Sequence, residues 1–535
     1  MRTFLFLLIA ILTSLQALAQ SYSLFSPADT LKGGLRPERT SFDVHFYDLR
    51  VSVDPDAKVI SGQNTIHFTV NQPTERIQID LFPELEIHTI TGSSAISGYD
   101  RLHGAIFIDF VQILPAGSNQ TISITYSGKP QEAKTPPWDG GFVWEQDEKG
   151  RPWIATAVQG QGASLWWPVK EHLSDEPDSM AITCTVPNGL TCVSNGNLRD
   201  ESHDRGQGTF RWFVSYPINV YNVALNIGHY AQISDKLQMG GQEILADYYV
   251  LDYHEDKAEK NFPKWVKEMF LHYNKLLGPY PFPDDGYALV EVPYWGMEHQ
   301  SAVAYGNEFK LNEYGFDFIL IHETGHEYFG NSISSTDPAE LWIHEAFTTY
   351  LEVLFLESRD GYEISEDYLE SKLSLIRNNQ PILGPMGVYY EDWNDADMYY
   401  KGAWMLHSIR HMVDSDKKWH KLIRQFYQTF KGKSVNTEMV INFFNEQTEV
   451  NVRPVFHHFL TELHPPRLAY RIEGRDFFYK WLNTGKGFNM PVEIKAGNKT
   501  YRLTPTSSWQ QVRIPKRVTP KFSTEKFYFV PEKTE

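Results

Sequence analysis

Residues 322 to 326 read His-Glu-Thr-Gly-His, and Glu345 follows with eighteen residues between it and His326. Histidines at i and i+4 of a helix project from one face, so His322 and His326 can offer two imidazoles to a single ion. Glu323 lies about 100° further round the helix. There its carboxylate reaches water beside the ion without becoming a ligand, which is what a general base needs. The third ligand has to come from another element. The stretch Leu341-Trp342-Ile343-His344-Glu345-Ala346-Phe347 continues helically through Tyr350 to Leu356, and a helix packed on the first can aim Glu345 at the same point. Three protein ligands leave one coordination position open, which separates a reactive zinc from a structural one. The pattern predicts one catalytic Zn2+ per chain on His322, His326 and Glu345, with Glu323 as its base.

The elements that must hold these side chains follow from hydrophobic period. Phe316, Phe318, Ile319, Leu320 and Ile321 form an apolar run that carries His322 into the interior. From about residue 40 to 235 apolar residues alternate, as in Val44 and Phe46, Leu49, Val51 and Val53, then Ile66, Phe68 and Val70. Period two means strands with one buried face, and turn residues such as Asp54-Pro55-Asp56 punctuate them into an antiparallel β domain. Near residue 256 the period changes. Trp265, Val266, Met269, Phe270, Tyr273, Leu276 and Leu277 keep helical spacing, and Gly278-Pro279 ends that helix. A strand over Tyr287 to Val292 leads to Trp295-Gly296-Met297-Glu298, helices dominate residues 316 to 463, and alternation returns after His464-Pro465-Pro466. The expected organisation is multidomain α+β, with residues 1–19 a signal peptide, 20–235 an N-terminal β domain, 236–464 a mainly helical zinc domain and 465–535 a short C-terminal β-sandwich.

Composition bounds the partners. The 535-residue chain is 41% hydrophobic and 14% aromatic, with formal charge 49 − 67 = −18. That surplus of acid disfavours a nucleic-acid backbone and attracts a cationic substrate end. Arg2, the apolar run from Leu5 to Leu12 and Ala17-Leu18-Ala19 have the layout of a secretory leader. The mature chain then begins at Gln20 and is exported to the periplasm or medium. No stretch reaches 18 uninterrupted apolar residues, so no stable membrane insertion is expected. Cys184 and Cys192 flank the hairpin signal Val186-Pro187-Asn188-Gly189, and can be bridged across paired strands or remain two buried thiols. Oligomeric state is not legible.

The chain resembles zinc aminopeptidases of the alanyl aminopeptidase and leukotriene hydrolase family. The likeness rests on His322 to His326 with Glu345, on Trp295-Gly296-Met297-Glu298-His299 at the place of Gly-x-Met-Glu-Asn, on Tyr399-Tyr400-Lys401-Gly402 at Tyr-x-Lys-Gly, and on Gly278-Pro279-Tyr280-Pro281-Phe282. It implies a saddle-like β domain, a thermolysin-like catalytic domain and a β-sandwich, without the large helical C-terminal domain of longer members. Thermolysin-type endopeptidases, whose Glu lies one residue farther on, are the nearest competitor. By this resemblance the protein is a secreted zinc aminopeptidase acting on peptides with a free N-terminus. Glu298 then binds the substrate ammonium, helped by Gln161, while Gly296 and Met297 line the substrate and Tyr399 donates a hydrogen bond to the oxyanion. Tyr400 is assigned to the core, and His457 and His458 to an ordinary helix. Three residues depart from the family pattern: Trp295 stands for its first Gly, His299 for its Asn, and His344 for the Asn before the third ligand. Trp295 and His299 are expected beside the first substrate residues, and His344 away from the metal. A leukotriene-hydrolase-like epoxide activity and a catalytically dead peptide binder are the alternatives.

Overall fold

The computed structural model describes residues 25–389 and 396–535; the expected signal peptide lies outside them. A short helix, α1 (Pro27–Gly33), opens the described chain, closed at its start by reciprocal bonds between Ser26 and Asp29. The strands that follow build a seven-stranded sheet whose middle is Ser179–Pro187, Phe42–Asp54, Val59–Val70 and Asn119–Gly128, flanked by three- and four-stranded sheets. Leu49, Val51, Ile66, Phe68, Ile122, Ile124 and Ile182 are fully buried beneath it.

Two details differ from the simple alternating pattern. A bulge between Val44 and Phe46 shifts the phase of the first strand, so Val44 and Tyr47 point inward and Phe46 is left half-buried. The domain is also not wholly antiparallel: Phe42–Asp54 pairs in parallel with Ser179–Pro187. That pairing joins strands separated by more than a hundred residues, which alternation alone cannot reveal.

The catalytic half is built on a five-stranded sheet in the order Tyr230–Met239, Gln242–Leu251, Tyr287–Glu291, Ala302–Tyr305, Gly296–Met297. Its first strand straddles the expected boundary at residue 235 and pairs along its whole length with Gln242–Leu251, so residues from 230 onward share the catalytic sheet. Three helices matter for the site: α2 (Phe318–Gly325), α3 (Trp342–Asp360) and α4 (Tyr400–Val413). Past residue 467, a four-stranded and a three-stranded sheet pack together. Leu468, Trp481 and Ile494 there belong to the same apolar core as Ile409 and Phe459 of the helical part. No described helix is long and apolar enough to cross a membrane. Cys184 and Cys192 are buried free thiols on consecutive strands that belong to different sheets, so they do not oppose each other across a paired hairpin.

Candidate active site

Helix α2 is short, so its aim depends on its start. Asp317 caps it, accepting from the Leu320 backbone N–H at 3.2 Å, and is itself fixed by the Tyr305 hydroxyl at 2.6 Å. His322 and His326 then lie one turn apart with their Nε2 atoms 3.2 Å from each other. Helix α3 packs against this pair and brings Glu345 Oε2 to 3.6 Å from His322 Nε2 and 3.3 Å from His326 Nε2.

Whether these atoms suit a metal is a question of triangle edges. Four ligands about 2.0–2.1 Å from a tetrahedral zinc stand roughly 3.3–3.4 Å apart, close to the three separations found. Glu345 Oε2 is buried and has no hydrogen-bond donor in place among the described residues, an arrangement whose cost is removed when the oxygen ligates a cation. The outer nitrogens are already occupied. His322 Nδ1 meets Glu352 Oε1 at 2.5 Å, and His326 Nδ1 donates to the Phe329 carbonyl at 2.9 Å. With protons held at Nδ1, both Nε2 lone pairs point to the common centre. Glu352 is steadied in turn by the Tyr368 hydroxyl. Burial alone would lower the His322 pKa, but the Glu345 and Glu352 carboxylates beside it overturn that and raise it well above its ordinary value. The same concentration of carboxylate favours a dication.

Glu323 faces the cavity formed by these elements, which encloses about 440 Å³. Burial pushes its carboxyl up to about 8, opposed by His322 and His326 and reinforced by Glu298 and Glu345. Gly296 makes room for it: a Cβ there would stand 2.7 Å from Glu323 Oε1 and 2.8 Å from Ile319. Gly296 and Met297 both line the cavity from the edge strand of the five-stranded sheet. Glu298 follows, 2% exposed, accepting from the Tyr221 hydroxyl at 2.9 Å and from the Gln159 amide. Its backbone carbonyl takes a bond from Asn331 at 2.9 Å. Tyr399 lines the cavity with its ring stacked on that of His322, centroids 6.0 Å apart. Burial, with Glu345, Glu298 and Glu323 around it, raises its phenol well above the usual value, so it remains a neutral donor.

Three expectations need correction. Gln161 does not line the cavity; its side chain accepts from Gln131 and its carbonyl from Lys32. Gln159 takes the place beside Glu298, because the turn in which the Gln161 and Gly162 N–H groups bond back to the Val158 carbonyl sends the two glutamine side chains to different partners. His299 is fully buried away from the cavity, with neither ring nitrogen partnered among the described residues, and burial lowers its pKa to about 3. Tyr400 is half-buried and lines the cavity beside Tyr399, at the start of α4. Trp295 does border the cavity, 47% exposed and stacked on Phe318. His344 points away from the metal centre and accepts from the Ser335 N–H at 2.9 Å. His457 and His458 lie on the helix Arg453–Thr461.

Several site residues escaped the sequence reading. Glu352 had a signal, since it lies seven residues beyond Glu345 on one helix face in an otherwise apolar turn. Tyr221 had none, because it comes from a segment far from the motifs; Gln159 lies two residues before Gln161 and Asn331 five beyond His326, but no spacing rule says that they meet Glu298.

Two histidines at helical spacing, a Glu from the next helix and a base facing an open cavity define a zinc metallopeptidase centre of the gluzincin type. The comparisons specify it further. The model "Peptidase family M1 domain" matches residues 264–459, and "Peptidase M1 N-terminal domain" matches residues 44–221. The chain belongs to the M1 peptidase family. Aminopeptidase B of Mus musculus is 24% identical over 336 residues, covering 57% of this chain and 48% of its own length. Aminopeptidase B of Homo sapiens is 23% identical over 368 residues, with 64% and 52% covered. The chain thus spans about half the length of the curated relatives it matches. Its fold is that of the M1 zinc metallopeptidase of Deinococcus radiodurans, with a TM-score of 0.66 at 21% identity over 80% of this chain and 95% of the other. A mutant of that enzyme, described as bound to the substrate Tyr-Ser-Ala, gives 0.66 at 21% identity, with 79% and 94% covered.

Proposed function

We propose that the protein is an exported aminopeptidase that hydrolyses the first peptide bond of substrates with a free amino terminus. The observation carrying this reading is the position of Glu298. One of its carboxylate oxygens lies within 4.8 Å of the ligand atoms of His326 and Glu345, so it shares the metal's surroundings while remaining bonded to Tyr221 and Gln159. In an amino-terminal residue the nitrogen is about 2.5 Å from the carbonyl carbon, as bond lengths near 1.5 Å and an angle near 111° require. An ammonium on Glu298 therefore sets the first carbonyl, and no later one, at the centre of the site.

A zinc ion, which His322, His326 and Glu345 would hold, would supply Lewis acidity for a carbonyl and for water at this centre. Glu323 takes the proton released when water adds to the carbonyl carbon, then delivers it to the departing amine. Tyr399 donates to the oxygen that gains charge. Gly296 and Met297 present a strand edge unpaired among the described residues, along which the peptide backbone can lie.

The leader-like residues 1–19 support export, and amino-terminal sequencing of the mature protein should begin at Gln20. The activity is tested with matched free and N-acetylated peptide amides. Release of the first residue from the free form alone is expected, and equal cleavage of both would refute the exopeptidase reading. Glu323→Gln should keep its zinc and lose about 100- to 10,000-fold in kcat, the usual worth of a general base.

A further inference from the structure

The cavity has one wall whose position depends on residues outside it. Val388 and Tyr389 line it, and the Tyr389 hydroxyl donates to the Gln159 carbonyl at 2.9 Å. Gln159 is the residue whose amide holds Glu298. Tyr389 thus stands one residue's reach from the proposed ammonium anchor.

Behind this wall lies α1. The Tyr389 N–H donates to the Asp29 carbonyl at 3.0 Å, and the Lys32 ammonium sits 4.4 Å above the Tyr389 ring while bonding the Gln161 carbonyl. Gly33 touches the backbone of residue 388 directly. A Cβ added there would be 2.2 Å from the Val388 carbonyl carbon and 2.4 Å from the Tyr389 nitrogen. Since Gly33 has no positive φ, contact alone excludes a side chain. The helix cannot simply retreat, because it is bolted to the N-terminal β domain. Gln78 donates to the Leu31 carbonyl at 3.0 Å, and Arg39, bonded to the Lys32 carbonyl, pairs with Asp80 at 2.6 Å with both side chains buried.

We propose that residues 26–33 act as a clamp between the two domains that fixes Tyr389 as the end wall of the cavity, making Tyr389 a specificity-determining residue and Gly33 and Lys32 positioning residues for it. The ligand selected is the side chain of the substrate's first residue, a statement that rests on the aminopeptidase reading above. The clamp lies beyond Gln20, so it stays with the mature chain if cleavage falls where expected. One methylene in such a pocket typically changes discrimination by about 10- to 200-fold, so small displacements of the wall should be measurable.

The test is the ratio of kcat/KM for tryptophanyl against alanyl fluorogenic amides, with melting temperature followed in parallel. Tyr389→Ala removes the wall and should raise the ratio by about tenfold or more. Gly33→Ala wedges the wall inward from behind and should lower it by about tenfold, although Gly33 does not touch the cavity. If Gly33→Ala cannot be recovered folded, Lys32→Met carries the same readout, since it removes the bond to Gln161 while keeping an apolar stem over Tyr389. A purely structural role would lower melting temperature or scale both substrates together. A ratio within about twofold of wild type in the Gly33 or Lys32 variant overturns the clamp, whatever happens to stability. A wild-type enzyme that cleaves no free-amine amide would sink the aminopeptidase reading instead. Equilibrium binding of L-tryptophan against L-alanine to the zinc-loaded protein would then give the ratio.

Discussion

Glu298→Gln is the sharpest test of how the substrate is held. The replacement keeps the side-chain shape and an oxygen that can accept from Tyr221 and Gln159, whose hydroxyl and amide now bond one carboxylate oxygen. What it removes is the negative charge that would face an ammonium in a site 2% exposed. Truncating one partner of a buried, hydrogen-bonded charge pair costs about 2–5 kcal/mol, more than a surface pair because little solvent screens it. Each 1.4 kcal/mol is tenfold, so kcat/KM for free-amine peptide amides should fall by roughly 30- to several-thousand-fold. The assay is steady-state hydrolysis of a free and an N-acetylated peptide amide by both proteins, with bound zinc measured on the same samples. The loss should be confined to the free substrate, and zinc content should be unchanged. Activity within about threefold of wild type on the free substrate, or an equal loss on both, would refute the anchoring argument.

Other residues make independent predictions. Tyr399→Phe should lower kcat about 100- to 1,000-fold with little change in KM, because the hydroxyl acts on charge present only in the transition state; a change mainly in KM would contradict that role. Glu352→Ala frees the His322 Nδ1 proton and should weaken zinc binding about 10- to 100-fold in competition with a chelator, and unchanged affinity would rule out a supporting role. His299, with its pKa depressed to about 3 by burial, is neutral when folded and protonates near 6.5 when unfolded. Its contribution to stability is therefore complete above about pH 6.5 and lost as pH falls towards about 3. His299→Asn should resist acid better, with its acid-unfolding midpoint at lower pH than wild type, and an unshifted midpoint would remove His299 from the account.

The metal centre was legible because its grammar is local. His322, Glu323 and His326 lie within one helical turn and a half, and Glu345 sits on an apolar helix that has to pack on it. Where chain-distant segments meet, the sequence offered less. Gln159 and Gln161 look interchangeable on paper, and only the turn closed on the Val158 carbonyl decides which one meets Glu298. Adjacent tyrosines 399 and 400 both line the cavity because they lie at the start of α4, where the chain has not yet settled into faces. His299, aligned with a family motif, turns into the interior immediately after the edge strand ends. In the β domain, period two announced the strands, but the bulge at Val44 and the parallel pairing of Phe42–Asp54 depend on partners far along the chain. The contact between α1 and Tyr389 spans more than three hundred residues, and no spacing rule reports it.

Stepwise zinc loading of metal-depleted protein, with hydrolysis of an unblocked aminoacyl amide followed at each step, tests the central claim most directly. Activity should rise in proportion to bound zinc and level off at one ion per chain, and Glu345→Gln should neither hold that ion tightly nor recover activity. Full hydrolysis by protein stripped of metal, or by Glu345→Gln at wild-type rate, would contradict a catalytic zinc gripped by His322, His326 and Glu345.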